Sequence, residues 1–323
     1  MRLLWLFIFV LVFMSSCAEG GTMDILDGLF VDSILYKRDT VINSNNDTTF
    51  IEIHDTIRKP LNVKIEYIEK IMDQEPNSAN QGASCYGNYL FSCTDYMTYF
   101  YVYDLYNKSF LKRHRTNQKN TKHHCNNICF SNIFYSDEDI FPLLFVSQQR
   151  KDPKEVQVCR LIGGIDDFQL SVVSTILLPT DVDLYIRNHA DVVLDNDNNS
   201  MIAYTITDDL LLCTYKFDTP QVLNNDTIYL SKQDIKETNI YNTRYSAKQG
   251  AVIDNGFLYV VKGIPNRSPI GLTIINLFNH SWKELDLFHR GLGYEPEGLF
   301  FYDNELYCTT HSNGIFRICL TMQ

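Results

Sequence analysis

The sequence has few basic residues for its length. It contains 28 lysines and arginines against 39 aspartates and glutamates, which gives a formal net charge of −11 at pH 7. A protein that binds nucleic acid neutralises phosphates with a basic surface. The composition therefore argues against nucleic acid as a partner.

The sequence also lacks an apolar run long enough to cross a bilayer as a helix, which takes about 20 residues. The apolar run at residues 3–13 is shorter, follows the single charge of Arg2, and ends close to the small residues Ser15 and Ser16. A positive start, a short apolar core and a small-residue end are typical of a secretory signal. We therefore expect residues 1–16 to be a signal peptide.

The residues that end this segment, Met14-Ser15-Ser16-Cys17, resemble the lipobox of bacterial lipoproteins, with Met where the family usually has Leu. The resemblance implies that Cys17 becomes the lipidated first residue of the mature protein. More than one acyl chain anchors a protein stably to a membrane, so the expected location is the cell envelope, on the periplasmic face or the cell surface. An ordinary cleaved signal followed by a chance cysteine is the alternative.

Zinc-binding cysteine patterns are missing as well. Among the nine cysteines there is no CxxC pair and no paired Cys/His spacing, which argues against a structural zinc site. With Cys17 assigned to lipid, an even number remains, and disulfides are possible outside the cytoplasm. Five of the remainder lie inside apolar strand-like runs and fit equally well as small buried hydrophobic residues. These are Cys93, Cys129, Cys213, Cys308 and Cys319.

No helical period is evident, whereas aromatic residues are abundant, with 20 Tyr and 20 Phe. Aromatic and β-branched residues favour strands. We expect a polar tether at residues 17–57 and a single all-β domain at residues 58–323. Asp-Ser/Thr-apolar triplets within residues 32–57 resemble the O-glycosylation sites of Bacteroidota, and a plain solvated spacer is the alternative.

A repeated frame organises this domain. Gln81-Gly82, Gln249-Gly250 and Glu297-Gly298 each open an apolar run, which is followed by a turn and by a second apolar run nine residues after the polar residue. Two further units open at His124 and His189, with longer first turns. The five openings lie about 40 to 65 residues apart, close to the roughly 40–50 residues of a four-stranded propeller blade.

This spacing predicts a five-bladed β-propeller. The last unit has room for only three strands, so we expect a strand near residues 61–71 to supply its fourth and to close the ring. A six-bladed propeller is the alternative, and it would require the interval between residues 124 and 189 to hold two blades.

Three openings resemble a bacterial and phage propeller group. They are Lys248-Gln249-Gly250, Glu295-Pro296-Glu297-Gly298-Leu299 and His124-Cys125-Asn126-Asn127-Ile128. The group includes teichoic-acid-biosynthesis-C-like proteins, helveticin-like proteins and phage receptor-binding proteins. The resemblance implies five blades and recognition of a glycan or a cell-surface protein, and it implies no common reaction.

The residues that open the units are the candidate ligand-binding residues, because inner strands of a propeller start at one mouth of the central channel. A ring of polar groups in a concave site is the default binding-site hypothesis. Alternatively, these groups only hydrogen-bond neighbouring backbone or water. The candidates are Gln81, His124, Asn126, His189, Asp191, Gln249 and Glu297.

A cation site is a sharper version of this hypothesis. Gln81, Asn126, Asp191 and Glu297 offer oxygen ligands of the kind that calcium prefers. The alternative function is therefore a metal-dependent hydrolase or lactonase-like enzyme with its site in the channel. No GxSxG or similar serine or cysteine nucleophile motif is present.

Three other roles for residues at the mouth are open at this stage. Glu295 and Glu297 would share one face of a strand at roughly 6.5 Å, a separation used by inverting glycosidases. His189 with Asp191 could serve as a base and its orienting group. Lys248 and Arg244, beside the mouth, could bind an anionic sugar or a carboxylate; the alternative is that both are solvated.

Overall fold

The computed structural model describes residues 30–42, 48–75, 80–116, 124–148, 154–180, 190–222 and 226–322. Within these ranges the regular structure is β-strand, apart from two single-turn 3₁₀ helices at Lys232–Asp234 and Phe288–Arg290. None of the helices in these ranges is long and apolar enough to cross a membrane.

Three strands precede the first blade. They are β1 (Phe30–Ile42), β2 (Thr48–Pro60) and β3 (Val63–Met72). β1 and β2 pair with each other as an antiparallel hairpin, in the segment whose composition predicts a tether. The backbone of Phe30 joins this hairpin to the fourth blade, because its N–H donates to Ser281 Oγ at 2.8 Å and its carbonyl accepts from Asn276 Nδ2 at 2.8 Å.

Twenty strands follow β3 in chain order. The first blade holds β4 (Asn80–Tyr86), β5 (Tyr89–Thr94), β6 (Tyr99–Asp104) and β7 (Ser109–Arg115). The second holds β8 (Cys125–Phe130), β9 (Leu144–Gln148), β10 (Glu155–Ile162) and β11 (Gln169–Leu177). The third starts with β12 (Asp191–Asp195), β13 (Ser200–Ile206) and β14 (Leu211–Asp218), and two strands follow it, β15 (Thr227–Tyr229) and β16 (Glu237–Arg244). The fourth holds β17 (Lys248–Asp254), β18 (Phe257–Lys262), β19 (Gly271–Asn276) and β20 (Trp282–Asp286). The last strands are β21 (Pro296–Tyr302), β22 (Glu305–Thr310) and β23 (Ile315–Met322).

The strands form the five blades of a β-propeller, as the repeat spacing predicts. The six-bladed alternative is wrong, because the described strands between residues 124 and 189 belong to one sheet. β3 pairs antiparallel with β23 and is the outer strand of the fifth blade. The sheet of the fifth blade therefore combines one early strand of the described chain with its last three strands.

From the sequence we expect the apolar run at residues 227–230 to be the outer strand of the third blade. In the structure, β15 in this run instead adds to the second blade, parallel to β11. The outer strand of the third blade is β16, which pairs with β14. Tyr241 and Thr243 of β16 are buried between exposed neighbours, whereas β15 is largely exposed. The alternating polar pattern of β16 concealed its packing role.

Each hydrophobic core lies between two neighbouring blades rather than inside one. Five clusters of buried residues occupy the five interfaces around the ring. The core between the fifth and first blades contains Phe300 and Tyr307 from one side and Tyr101 and Tyr103 from the other. Because every blade has two such partners, closure of the ring buries the apolar faces of neighbouring blades against each other.

The glycines of the repeated frame allow the inner strands to approach at backbone distance. A Cβ atom at Gly250 would lie 2.5 Å from the carbonyl oxygen of Glu297 and 2.6 Å from the Cα of Gly298. A Cβ at Gly82 would lie 2.7 Å from the backbone nitrogen of Ile128. Real Cβ atoms do not reach such distances, so these positions require glycine for the space it leaves.

Candidate functional site

The inner strands of the five blades begin at one end of the ring, and their first residues meet there. Gln81 of β4 donates from Nε2 to Glu297 Oε1 of β21 at 3.4 Å. Asn126 of β8 donates from Nδ2 to Asp191 Oδ2 of β12 at 2.8 Å. We call this end of the ring the channel mouth.

A β-bulge recurs at the polar residue of four inner strands. The strand register shifts between Asn80 and Ala83, Cys125 and Ile128, Lys248 and Ala251, and Pro296 and Gly298. Each shift adds one residue to the inner strand relative to its partner. A bulge bends the strand and redirects a side chain. The polar-glycine pair recognised in the sequence is thus the signature of this bulge.

Two carboxylates and a histidine form the first cluster at the mouth. Side-chain ligand atoms of Glu295, Glu297 and His311 all lie within 4.8 Å of one another. His311 Nδ1 lies 3.2 Å from Glu297 Oε1, and Gln249 Nε2 donates to Glu295 Oε1 at 3.0 Å. Gln81 and Gln249 therefore orient the two carboxylates with their amide groups.

Glu297 is the most deeply placed member of this cluster. It is 1% exposed, and its Oε2 atom has no hydrogen-bond partner among the described residues. Burial raises the pKa of its carboxyl group to about 8, and the hydrogen bond from His311 acts in the opposite direction. The same hydrogen bond raises the pKa of His311. Burying an oxygen without a hydrogen-bond partner costs free energy relative to leaving it in water. Glu297 is therefore suited to bind a cation or to accept a hydrogen bond from a ligand.

The acid pair does not have the spacing expected for an inverting glycosidase. The oxygens of Glu295 and Glu297 lie within 4.8 Å, whereas such enzymes separate their carboxyl groups by about 6.5–9.5 Å. The strand geometry assumed in the sequence argument is interrupted here, because β21 begins only at Pro296 and contains the bulge.

A second cluster at the mouth is a buried ion pair. Lys248 Nζ contacts Asp191 Oδ2, with side-chain exposures of 2% and 0%. Lys248 also lies 5.0 Å from the centre of the Tyr204 ring. Burial lowers the pKa of the Lys248 ammonium group, and the Asp191 carboxylate opposes that shift. The expectation that Lys248 binds an anionic ligand is wrong, because its charge is already paired away from solvent.

The expected calcium site is therefore divided between two places. Gln81 and Glu297 belong to the first cluster, whereas Asn126 and Asp191 belong to the second. His124 belongs to neither hydrogen-bonded pair, and its Nδ1 contacts Asp95 Oδ1. His189 lies outside the described residues, so the expected pairing of this base with Asp191 is not addressed.

Asn127, which follows Asn126 on β8, reaches across to the inner strands of two other blades. It is fully buried. Its Nδ2 donates to Val192 O at 2.8 Å and to Ala251 O at 3.3 Å, and its Oδ1 accepts from the N–H of Ala251 at 3.3 Å. One amide thereby connects the inner strands of the second, third and fourth blades.

Sequence reasoning missed His311 and Asp95, which have equivalent positions. His311 directly follows β22, and Asp95 directly follows β5, the second strands of their blades. In an antiparallel pair the second strand ends where the first begins. The usable signal was therefore a polar residue immediately after the second apolar run of a repeat.

Likeness to solved structures is confined to the fold. No protein-family model matches the sequence, and no curated protein matches it either. A glutaminyl cyclase from Myxococcus xanthus is similar over 81% of this chain and 97% of its own, with a TM-score of 0.52 and 9% identity.

Two further solved structures are similar at lower scores. A PQQ-bound aldose sugar dehydrogenase from Streptomyces coelicolor gives a TM-score of 0.49 at 8% identity, over 81% of this chain and 98% of its own. A tail fibre of Staphylococcus aureus phage P68 gives 0.48 at 13% identity, over 79% of this chain and 52% of its own. At these identities, what this chain shares with its structural neighbours is the propeller fold.

Proposed function

We propose that the channel mouth binds a divalent cation and that this cation is the centre of a hydrolase acting on a small ester or lactone. The observation that supports the proposal is the Glu297 carboxylate. It is buried, one of its oxygens has no hydrogen-bond partner among the described residues, and Glu295 and His311 lie within ligand distance of each other and of it.

The donor set fits a cation of intermediate hardness. Imidazole suits zinc, and carboxylates suit manganese and calcium. Outer hydrogen bonds to ligating carboxylates fix their orientation, and Gln81 and Gln249 make such bonds to Glu297 and Glu295. Zinc and manganese are accordingly better candidates than the calcium expected from an all-oxygen set.

The histidines at the mouth can contact a substrate and exchange a proton with it. A divalent cation bound here would polarise a carbonyl and lower the pKa of a bound water. The side chain of His311 is 45% exposed, so the cluster is open to solvent on that side. His124 is held through Nδ1 by Asp95, which leaves its Nε2 to accept a proton.

Metal titration of the chelator-treated full chain tests the proposal. We expect zinc or manganese to raise the unfolding temperature and to bind in calorimetry. Glu297→Gln and His311→Ala should each weaken that binding by roughly 100-fold or more, at or above the upper end of the 10–100-fold typical of outer-shell changes. His289→Ala is the matched control, because His289 is 80% exposed and paired only locally with Asp286. A wild-type protein that binds none of these cations would contradict the proposal.

Partly exposed polar side chains around the mouth favour a second candidate, a non-enzymatic site for a glycan or an envelope protein. Asp95, His124 and His311 are partly exposed at the mouth and could hydrogen-bond sugar hydroxyls. Such a site has no requirement for a cation. Glycan binding measured with and without chelator separates the two candidates. Binding that persists unchanged in chelator supports recognition rather than metal-dependent hydrolysis.

We further propose that the protein is exported and anchored to a bacterial membrane through Cys17. The support is the lipobox-like sequence Met14-Ser15-Ser16-Cys17 after a short apolar run. In cells fed a labelled fatty acid, the full chain should take up label and fractionate with membranes, and Cys17→Ser should abolish both. Label retained by the Cys17→Ser protein would contradict this anchor.

A further inference from the structure

Two buried cysteines meet at the interface between the first and second blades. Cys93 Sγ and Cys125 Sγ lie 2.7 Å apart, and both residues have 0% exposure. Non-bonded heavy atoms pack at about 3.5–4.0 Å. The two sulfurs are therefore closer than ordinary packing requires, although longer apart than the roughly 2.05 Å of a disulfide.

The backbone around the pair is fixed independently of the sulfur contact. The N–H of Cys125 donates to the carbonyl oxygen of Asp95 at 2.8 Å, and His124 contacts the Asp95 carboxylate. The start of β8 is thus bound to the end of β5 at two points. The packing of the first blade against the second therefore brings the two sulfur atoms together, and no loop has to move for them to meet.

The surroundings of the pair distinguish it from the other described cysteines. The same apolar core contains Cys93, Cys125 and Cys159. Among the described cysteines, only Cys93 and Cys125 have their sulfur atoms in contact. Cys85 and Cys319 are half-buried. One specific pair is therefore available for oxidation out of the eight described thiols.

We infer that Cys93 and Cys125 form a disulfide that covalently links the first two blades when the protein folds in an oxidising compartment. The two thiols lose two protons and two electrons as the sulfur–sulfur bond forms. A disulfide oxidant such as oxidised glutathione accepts them and becomes two thiols. The inference does not depend on a cation at the mouth.

Folding sets the time window for this reaction. The attacking species in thiol–disulfide exchange is the thiolate, and burial raises the pKa of the Cys125 thiol far above its usual range. Both sulfurs are also inaccessible in the closed ring. We therefore expect oxidation while the blades assemble, and resistance of the finished bond to reductants until the protein unfolds.

Refolding of the reduced full chain in a glutathione redox buffer tests the inference. After acid quenching and alkylation, peptide mass spectrometry should find a Cys93–Cys125 cross-link. The oxidised protein should unfold roughly 6 °C or more above the fully reduced protein, because the bond constrains a long loop of the unfolded chain. Cys93→Ala should abolish this redox-dependent difference.

Cys159→Ala is the matched control, since Cys159 lies in the same core and is equally buried. It should retain both the cross-link and the difference between oxidised and reduced protein. A wild-type protein whose eight body thiols all remain alkylatable after refolding would overturn the inference. A cross-link that instead joins Cys125 to Cys159 would overturn the assignment of the pair.

Discussion

Gly250→Ala is expected to destabilise the propeller by about 3 kcal/mol, at the upper end of the typical cost of overpacking a tight core. The added methyl group would meet the carbonyl oxygen of Glu297 at 2.5 Å and the Cα of Gly298 at 2.6 Å. Both neighbours are backbone atoms, so neither can rotate away as a side chain would. The fourth and fifth blades would have to separate at the channel. Urea unfolding at equilibrium measures the loss.

Gly293→Ala is the control for this substitution. Nothing lies within 4 Å of a Cβ placed at Gly293, and we expect a change of no more than about 0.5 kcal/mol there. If Gly250→Ala were as stable as Gly293→Ala, the contact between β17 and β21 would be looser than described. Because Gly250 packs on Glu297 itself, the variant also tests the proposed cation site, where binding should be weaker than in the wild type.

Lys248→Met should cost about 3–5 kcal/mol, the range for removing one member of a buried ion pair. The change preserves much of the volume of the side chain but leaves Asp191 without the charge of Lys248 in a fully buried position. The physical cost is that of keeping the Asp191 anion out of water after the loss of one charged partner. Urea unfolding at neutral pH is the measurement.

The matched control is Lys236→Met. Lys236 pairs with Asp218 at the surface, where both side chains are more than half exposed, and such pairs contribute about 0–1 kcal/mol. The double substitution Lys248→Met with Asp191→Leu should recover much of the loss, since apolar residues of similar volume often replace a buried pair without penalty. Equal stability losses in Lys248→Met and Lys236→Met would contradict the buried pairing.

The positions of the inner strands could be predicted from the sequence, whereas their contacts across the ring could not. Gln81 and Glu297 could be placed at blade openings from the polar-glycine frame alone. Their contact depends on the first and last blades becoming adjacent, which follows from closure rather than from local pattern. For the same reason, the division of the candidate ligands into two clusters could not be predicted.

Other features were obscured by local chemistry. β16 carries a polar, alternating pattern that resembles a loop until Tyr241 is seen in the core between the third and fourth blades. His311 stands outside any apolar run, and its role arises from the pairing of β21 with β22. The glycines are the reverse case, because the simple polar-glycine pair marks the positions of closest packing between inner strands, at Gly82, Gly250 and Gly298.

The Asn127 amide that joins three inner strands determines how a ligand can approach. Since this side chain reaches from the second blade to the inner strands of the third and fourth, it crosses the space between these strands just below the mouth. A molecule that reaches Glu297 would therefore enter and leave by the mouth. A polymer could present only its terminus or a short branch to that opening, so any action on a long chain would proceed from its end.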